Sequence, residues 1–302
     1  MTSSSIGAWV LAARLRTLPL ACASVLLGGG LAAQAGAFDW PLFGLTLLTA
    51  ILLQILSNLA NDYGDAVSGA DNADRVGPTR AVVSGLISRQ QMRRGMLATG
   101  GLAVVSGLAL LWRAFADDWP AFFAFIGFGA LALVAAVTYT VGRRPYGYRG
   151  LGDLSVFLFF GLLGVVGSFY LFTRHLSWPL LLPATGCGLL ATAVLNINNI
   201  RDLATDQASG KRTLAVRLGE ERARRYHWLL ILGAGVCVAA FIGLFEPSPW
   251  PALCLLAYGP LLRVTWVVQH SRDPGVLNGQ LKATALGSFF FNLLLALGFA
   301  LA

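Results

Sequence analysis

The sequence predicts an all-α polytopic membrane protein, with nine transmembrane helices around a central cavity. Hydrophobic residues make up 56% of the 302 residues, charged residues make up only 12%, and the mean hydropathy is +0.69. Soluble globular proteins carry about 25% charged residues, so a water-soluble enzyme is excluded. The 35 glycines are typical of membrane helices, in which small residues let backbones approach closely.

Nine segments are long and apolar enough to cross a bilayer, which requires about 20 mostly apolar residues in a helix. Their predicted limits are 17–38, 40–60, 95–115, 119–141, 154–173, 178–197, 228–245, 250–268 and 283–302. Tryptophan stands near the start of several segments, as expected for the aromatic belt at the level of the lipid headgroups. We expect residues 1–302 to form a single domain.

The distribution of basic residues predicts the orientation of the chain. All of the 22 Lys and Arg residues except Arg113 and Arg174 lie toward the membrane face that carries the N-terminus. Basic residues are retained on the cytoplasmic side, so we expect the N-terminus and the longer loops to be cytoplasmic. The net charge of +8 is then explained by topology and by contact with the lipid bilayer, and it indicates no nucleic-acid partner.

Two acidic signatures follow the second and sixth predicted spans, in the segments SNLANDYGDAVSGAD and NINNIRDLATDQASGKR. The positions that match between them are Asn61 with Asn198, Asp65 with Asp202, Gly69 with Asp206, and Arg75 with Arg212. This similarity predicts an internal repeat of four helices each, with one additional helix. Such a repeat would place the two signatures face to face across the cavity.

Each signature forms a polar stripe when it is drawn on a helix. The stripes consist of Asn58, Asn61, Asp62 and Asp65, and of Asn198, Asp202 and Asp206. Carboxylates at the end of an apolar helix normally face a wet cavity, and several converging carboxylates repel one another unless a cation lies between them. Oxygen ligands from Asp and Asn suit Mg²⁺, whose coordination shell is often completed by substrate phosphates.

Basic residues follow both signatures, with Arg75 and Arg80 after the first and Lys211 and Arg212 after the second. A guanidinium group matches the geometry of a phosphate with two parallel hydrogen bonds. Carboxylates that hold Mg²⁺ beside Arg and Lys therefore predict a site that binds a diphosphate. The predicted catalytic residues are Asp65, Asp202 and Asp206.

The chain resembles the UbiA superfamily of intramembrane aromatic prenyltransferases. The resemblance rests on the pairs Asn61/Asp65 and Asp202/Asp206. More narrowly, three runs are similar to those of the superfamily branch that acts in the menaquinone pathway: RLRTLPLA, YTVGRRPYGYRGLGD and LNINNIRDLATDQASGKRTLAVRLG. Where the wider superfamily usually has a third acid in the first motif, this chain has Gly69, as that branch does.

The resemblance implies transfer of a polyprenyl group from polyprenyl diphosphate to 1,4-dihydroxy-2-naphthoate, with decarboxylation, to give demethylmenaquinol. It implies a bacterial inner-membrane enzyme whose active site lies at the cytoplasmic face, capped by residues 58–94 and 198–226. The implied Mg²⁺ ligands are Asn61, Asp65, Asp202 and Asp206, with Asp62 as a further ligand. The implied diphosphate-binding residues are Arg75, Arg80, Lys211 and Arg212, with Arg143 and Tyr139 reaching in from the end of the fourth span.

Arg14 and Arg16, just before the first span, are candidates to bind the carboxylate of the acceptor. A role as positive charges that set the membrane topology would explain these two residues equally well. Asn58 and Asn198 are further candidate acceptor-binding residues. An allylic cation needs a dry and π-rich chamber, and we expect two or three aromatic rings of the fourth and fifth spans to face it. The rings available there are Phe122, Phe123, Phe125, Phe128, Tyr139, Phe157, Phe159, Phe160, Phe169 and Tyr170.

Other functions remain open from the sequence. A transporter built from repeats also carries intramembrane acids, but it would place them near the centre of the bilayer rather than at one face. A prenyltransferase with the same chemistry could use 4-hydroxybenzoate, a haem or a chlorophyllide as its acceptor. A purely structural scaffold would leave both acidic stripes unexplained.

Overall fold

The computed structural model of the chain describes residues 5–69, 77 and 80–302. Over these ranges the chain forms helices and turns without any strand, which confirms the predicted all-α fold. The same ranges contain nine helical segments that are long and apolar enough to cross a membrane, as the sequence predicts.

The α-helices are α1 (Ile6–Ala13), α2 (Leu18–Gln34), α3 (Trp40–Ser68), α4 (Arg89–Phe115), α5 (Trp119–Thr138), α6 (Gly152–Val156), α7 (Gly167–Thr173), α8 (Leu181–Arg201), α9 (Leu203–Ala208), α10 (Leu214–Leu218), α11 (Glu220–Phe245), α12 (Leu255–His270) and α13 (Pro274–Leu301). A π-helical stretch, Phe157–Val166, joins α6 to α7 into the fifth span. Short 3₁₀ turns lie at Leu15–Thr17, Gly147–Arg149, Trp178–Leu180 and Trp250–Cys254. Helices α1 and α2 together make the first span.

Several helices extend beyond their predicted limits at the end of the bundle that carries the acidic signatures. Helix α3 continues to Ser68, and α4 already begins at Arg89. The side chain of Ser88 caps the start of α4, and Gly69 ends α3 in the left-handed conformation with φ 72°. Because capping rather than hydropathy sets helix ends, residues 58–65 of the first acidic signature lie on one continuous helix.

The fifth span packs between α2 and α8 through small residues. A Cβ atom added to Gly161 would lie 2.8 Å from the Cα atom of Gly188 on α8. On the other side, the hydroxyl group of Ser24 on α2 donates to the carbonyl oxygen of Phe160 at 2.5 Å. Hydropathy does not distinguish a π-helix from an α-helix, so the sequence did not predict the widened turns of this span.

Helix α8 is the most buried span, and it packs against α11, α13 and the π-helical stretch. The main apolar core joins these helices to α2, with Leu27, Leu190, Ile231 and Phe291 all buried in it. On the other side, α3 packs against α4, and α5 packs against both. A cavity lies between these two groups of helices, with walls from α2, α3, α4, α5, the fifth span and α8.

Candidate active site

The cavity between the two groups of helices has a volume of about 460 Å³ and two chemically different ends. Apolar side chains such as Leu110, Phe128 and Leu163 line one part of it, while residues of both acidic signatures line another. One cavity therefore joins an apolar chamber to a polar site.

The end of α3 contributes Asn61 and Asp65 to the cavity wall. Its position is fixed by close packing against the segment after α5, since a Cβ atom on Gly64 would lie 2.6 Å from the carbonyl oxygen of Thr140. Only glycine fits at this contact, one residue before Asp65. Gly69, at the position that matches Asp206, ends the helix in a left-handed conformation that glycine adopts without strain.

Asp65 is buried and interacts with three side chains from separate loops. The hydroxyl group of Tyr148 donates to its Oδ1 at 2.5 Å. The Nζ atom of Lys211 lies 3.3 Å from the same oxygen, and a guanidinium nitrogen of Arg80 lies 3.5 Å from Oδ2. Hydrogen bonds from charged donors are short and directional, so these three contacts fix the orientation of the Asp65 carboxylate.

The second signature lies where helix α8 gives way to α9. The chain departs from helical geometry at Asp202, with φ −94° and ψ 9°, so that both Asp202 and Asp206 are buried and line the cavity. Burial raises the pKa of Asp206 to about 6, although the nearby Lys211 ammonium opposes this rise. The Asp206 carboxylate lies 3.5 Å from that ammonium group.

Lys211 therefore lies between the two signatures, within 3.5 Å of both Asp65 and Asp206. Its ammonium group is also 4.7 Å from the centroid of the Tyr148 ring, in a cation–π contact. Tyr148 was missed by the sequence analysis, because nothing in the run YTVGRRPYGYRGLGD distinguishes it from Tyr139 or Tyr146. Only its spatial contacts with Asp65 and Lys211 reveal it.

The oxygen atoms at this point fit a hard divalent cation that is shared with a substrate. Across residues 5–69, 77 and 80–302, no three Asp, Glu, His or Cys side chains lie close enough to hold one ion. However, Oδ1 of Asn61 lines the same cavity and is buried without a hydrogen-bond donor among the described residues. Mg²⁺ is typically held by one or two carboxylates and completes its shell with phosphate oxygens. The residues present therefore fit such a cation.

Asp62, predicted as a further metal ligand, does not line the cavity, so the structure gives this prediction no support. Its Oδ2 accepts the backbone N–H of Ala81 at 2.9 Å, and its Oδ1 accepts that of Val82 at 3.1 Å. Asp62 stands about 100° around the helix from Asn61, at the edge of the stripe that faces this loop. It thus anchors the loop that brings Arg80 to Asp65.

The predicted diphosphate-binding residues divide into two groups. Those that line the cavity are Arg80, Tyr139 and Lys211. Arg143 and Arg212 are exposed and lie outside its wall, and Arg75 lies outside the described residues. The backbone N–H of Arg212 nevertheless donates to the carbonyl oxygen of Tyr148 at 2.8 Å, which joins the loops that carry Lys211 and Tyr148.

The predicted acceptor-binding residues also divide. Arg14, Asn58 and Asn198 line the cavity, whereas Arg16 does not. Helix α1 ends at Arg14 in a left-handed conformation, with φ 49°. The side-chain nitrogen of Asn58 holds this turn against α3 by donating to the carbonyl oxygen of Ala13 and to the hydroxyl oxygen of Thr17, both at 2.9 Å.

Five of the ten rings considered from the sequence line the cavity, namely Phe125, Phe128, Tyr139, Phe159 and Phe160, and Tyr146 and Tyr148 line it as well. They come from α5, from the segment after it and from the π-helical stretch of the fifth span. Rings at these positions shield the cavity from water and present π-faces to a positive charge.

The chain is similar to known proteins over almost its whole length. The chain is 50% identical to the 1,4-dihydroxy-2-naphthoate octaprenyltransferase of Escherichia coli K12, over 96% of this chain and 94% of that protein. It is 44% identical to the enzyme of the same name from Haemophilus influenzae, over 99% and 97% of the two chains. It is 38% identical to the enzyme of the same name from Mycobacterium tuberculosis, over 97% of each chain.

Solved structures share the fold at lower identity. A UbiA homologue from Aeropyrum pernix K1 matches with a TM-score of 0.67 and 15% identity, over 90% of this chain and 94% of the other. A UbiA homologue from Archaeoglobus fulgidus, bound to DMAPP and Mg²⁺, matches with a TM-score of 0.60 and 18% identity, over 93% and 98%. The model of the UbiA prenyltransferase family matches residues 21–294. The chain therefore belongs to the UbiA prenyltransferase family.

Proposed function

We propose that the protein transfers a polyprenyl group from polyprenyl diphosphate to 1,4-dihydroxy-2-naphthoate in menaquinone biosynthesis, with loss of the carboxylate, giving demethylmenaquinol. The observation that carries the proposal is the meeting of Asp65 and Asp206 at Lys211, beside an apolar cavity. This arrangement offers a charged site for a diphosphate and an apolar chamber for its tail. Relatives of 38 to 50% identity are named as octaprenyltransferases of this acceptor.

The divalent cation of this site is proposed to be Mg²⁺. The residues that would hold it are Asn61, Asp65, Asp202 and Asp206. When bound, Mg²⁺ supplies a Lewis acid that neutralises the charge on a leaving diphosphate. The fold neighbour from Archaeoglobus fulgidus that was solved with a prenyl diphosphate and Mg²⁺ supports this choice.

The side chains of the chain itself act mainly by binding charge and excluding water. Arg80 and Lys211 lie on the cavity wall, where they would bind the oxygens of the diphosphate as negative charge builds up on it. Phe125, Phe159 and Phe160 would protect the allylic carbon from water. Arg14 would hold the acceptor carboxylate through its planar guanidinium group.

The proposed reaction balances without a general base. The allylic C–O bond breaks and the diphosphate leaves with its electron pair. A ring carbon of the hydroxynaphthoate then forms the new C–C bond. When the carboxylate on that carbon leaves as CO₂, the electrons of the broken C–C bond restore the aromatic ring.

The active site is proposed to face the cytoplasm from the bacterial inner membrane, with residues 58–94 and 198–226 forming a cap over it. The positive-inside distribution of Lys and Arg supports this orientation. The two exceptions are each paired with an acid at the opposite face, Arg113 with Asp39 at 2.6 Å and Arg174 with Asp117 at 2.8 Å. Pairing of this kind reduces the positive charge at the outer face.

Purified protein and a radiolabelled prenyl diphosphate would test the proposal. Transfer to 1,4-dihydroxy-2-naphthoate should require Mg²⁺, should stop with EDTA and should be abolished by Asp65→Ala or Asp206→Ala while both variants still insert into the membrane. Full activity in either variant would contradict the site assignment. Transfer to 4-hydroxybenzoate but not to hydroxynaphthoate would overturn the choice of acceptor.

A further inference from the structure

Arg201 is a buried arginine that the reaction as described so far does not use. It is the last residue of α8, and its side chain is only 2% exposed. Its guanidinium group binds the adjacent Asp202 twice, from Nε to Oδ1 at 2.7 Å and from Nη2 to Oδ2 at 2.6 Å. Nη2 also donates to Oδ1 of Asn198 at 2.8 Å, and Nη1 donates to Oδ1 of Asn278 on α13 at 3.0 Å.

The Arg201 guanidinium group lies behind two residues that face the cavity. Asp202 and Asn198 are part of the cavity wall, whereas Arg201 is not. A buried charge is tolerated only when its hydrogen bonds are satisfied, and the planar arrangement of donors in arginine meets this demand here. The three residues that it binds come from two helix regions that are far apart in the chain.

Two hydrogen bonds join Arg201 to Asp202, one to each carboxylate oxygen. A carboxylate offers about four lone-pair positions on its two oxygens, so a bidentate arginine does not by itself prevent a carboxylate on a cavity wall from binding a cation. The guanidinium group also restricts the side chain of Asp202 to one orientation, which a single hydrogen bond would not achieve.

We propose that Arg201 is a positioning residue, which holds Asp202 and Asn198 toward the divalent cation and is itself fixed by Asn278 of α13. This inference rests on the proposed function, since it assumes that Asp202 binds the cation. It assigns to α13 a part in the metal site, although none of the predicted ligands lies on that helix. A simpler role, in which Arg201 only reduces repulsion among the carboxylates, would be served equally well by lysine.

The inference can be tested without turnover by titrating the purified full-length protein with Mn²⁺ in the absence of substrate. Electron paramagnetic resonance measures the free Mn²⁺ at each step. Arg201→Gln should weaken Mn²⁺ binding about tenfold or more, as is usual when a residue that orients a metal ligand is lost. Arg201→Lys keeps the charge but not the planar pair of donors, so we expect a loss of about tenfold there as well. Asn278→Ala should weaken binding about threefold.

Arg225→Gln is the matched control, because Arg225 is exposed on α11 and lies outside the cavity wall. It should bind Mn²⁺ as the wild type does. Thermal unfolding in detergent would establish that each variant is folded. Asn278→Ala leaves the pair of Arg201 with Asp202 in place, so it tests the proposal even where Arg201→Gln does not fold.

Wild-type Mn²⁺ affinity in Arg201→Gln or in Arg201→Lys would overturn the positioning role. Unchanged affinity in Asn278→Ala would overturn the part given to α13. Absence of Mn²⁺ binding by the wild-type protein would overturn the metal site and this inference together. Mn²⁺ binding that weakens in the variants, in a protein that transfers no prenyl group, would support the role of Arg201 and count against the proposed function.

Discussion

The ammonium nitrogen of Lys211 lies 3.3 Å from Oδ1 of Asp65, although the two residues are 146 positions apart in the chain. The same oxygen accepts the hydroxyl group of Tyr148 at 2.5 Å. This carboxylate therefore joins the first acidic signature to the second, and to the loop after α5. Changes to any of its donors should alter how the site binds charge.

Replacement of Tyr148 by phenylalanine should lower kcat/KM for prenyl transfer by roughly ten- to a hundredfold, because a hydrogen bond to a charged group contributes about 1.5–3 kcal/mol. The ring that contacts Lys211 would remain, so folding should be unaffected. Tyr63→Phe is the control, since Tyr63 packs among apolar residues of α3 and α4. Steady-state kinetics of both variants provide the measurement, and an equal loss in the two would remove Tyr148 from the site.

Asp62 and Asp65 should respond differently to the same substitution. Asp62→Asn replaces one of the two carboxylate oxygens that accept the backbone N–H groups of Ala81 and Val82 by an NH₂ donor, so it should lower the free energy of unfolding by about 1–3 kcal/mol. Asp65→Asn should abolish prenyl transfer even in protein that is folded, whereas folded Asp62→Asn should retain transfer. Thermal unfolding in detergent and a transfer assay would separate the two effects. An Asp62→Asn variant that is as stable as the wild type but inactive would support the predicted role of Asp62 as a metal ligand.

The nine spans could be predicted because they depend on hydropathy alone, and the carboxylates Asp65, Asp202 and Asp206 could be located because charge is scarce in this chain. The contacts of Tyr148 and Arg201 could not, since they depend on how separate loops and helices meet. Asp62 shows what helical periodicity leaves undecided. Periodicity predicts that Asp62 lies on the same polar stripe as Asp65, but it does not predict that this edge of the stripe faces a loop and not the cavity.

Arg14 and Arg16 form a matched pair for testing acceptor binding, because only Arg14 lines the cavity. Arg14→Met should raise KM for 1,4-dihydroxy-2-naphthoate about tenfold through the loss of a charge-assisted hydrogen bond. The KM for the prenyl diphosphate should stay unchanged. Arg16→Met should leave both constants close to those of the wild type. Kinetics with each substrate varied in turn would decide, and equal effects of the two substitutions would indicate a role in topology only.

Alanine substitutions at two glycines should change the free energy of unfolding in opposite directions. A Cβ atom on Gly161 would lie 2.8 Å from the carbonyl oxygen of Ala184, so Gly161→Ala should destabilise the protein by about 1–3 kcal/mol through overpacking against α8. A Cβ atom on Gly44 would meet no other atom within 4 Å, so Gly44→Ala should stabilise α3 by up to about 1 kcal/mol. Thermal unfolding in detergent measures both changes. A Gly161→Ala variant as stable as the wild type would show that the fifth span and α8 are packed less closely than described.

Gly129 and Gly127 on α5 test whether the cavity holds the prenyl tail. A Cβ atom at either position meets nothing within 4 Å, but only Gly129 lines the cavity. Gly129→Phe would fill part of the space of about 460 Å³, so kcat/KM should fall about tenfold or more for a long polyprenyl diphosphate. A short donor such as geranyl diphosphate needs less of that space and should react at nearly the wild-type rate. Gly127→Phe should leave the preference for donor length unchanged, and a shift in preference with Gly127→Phe but not with Gly129→Phe would place the tail on the other face of α5.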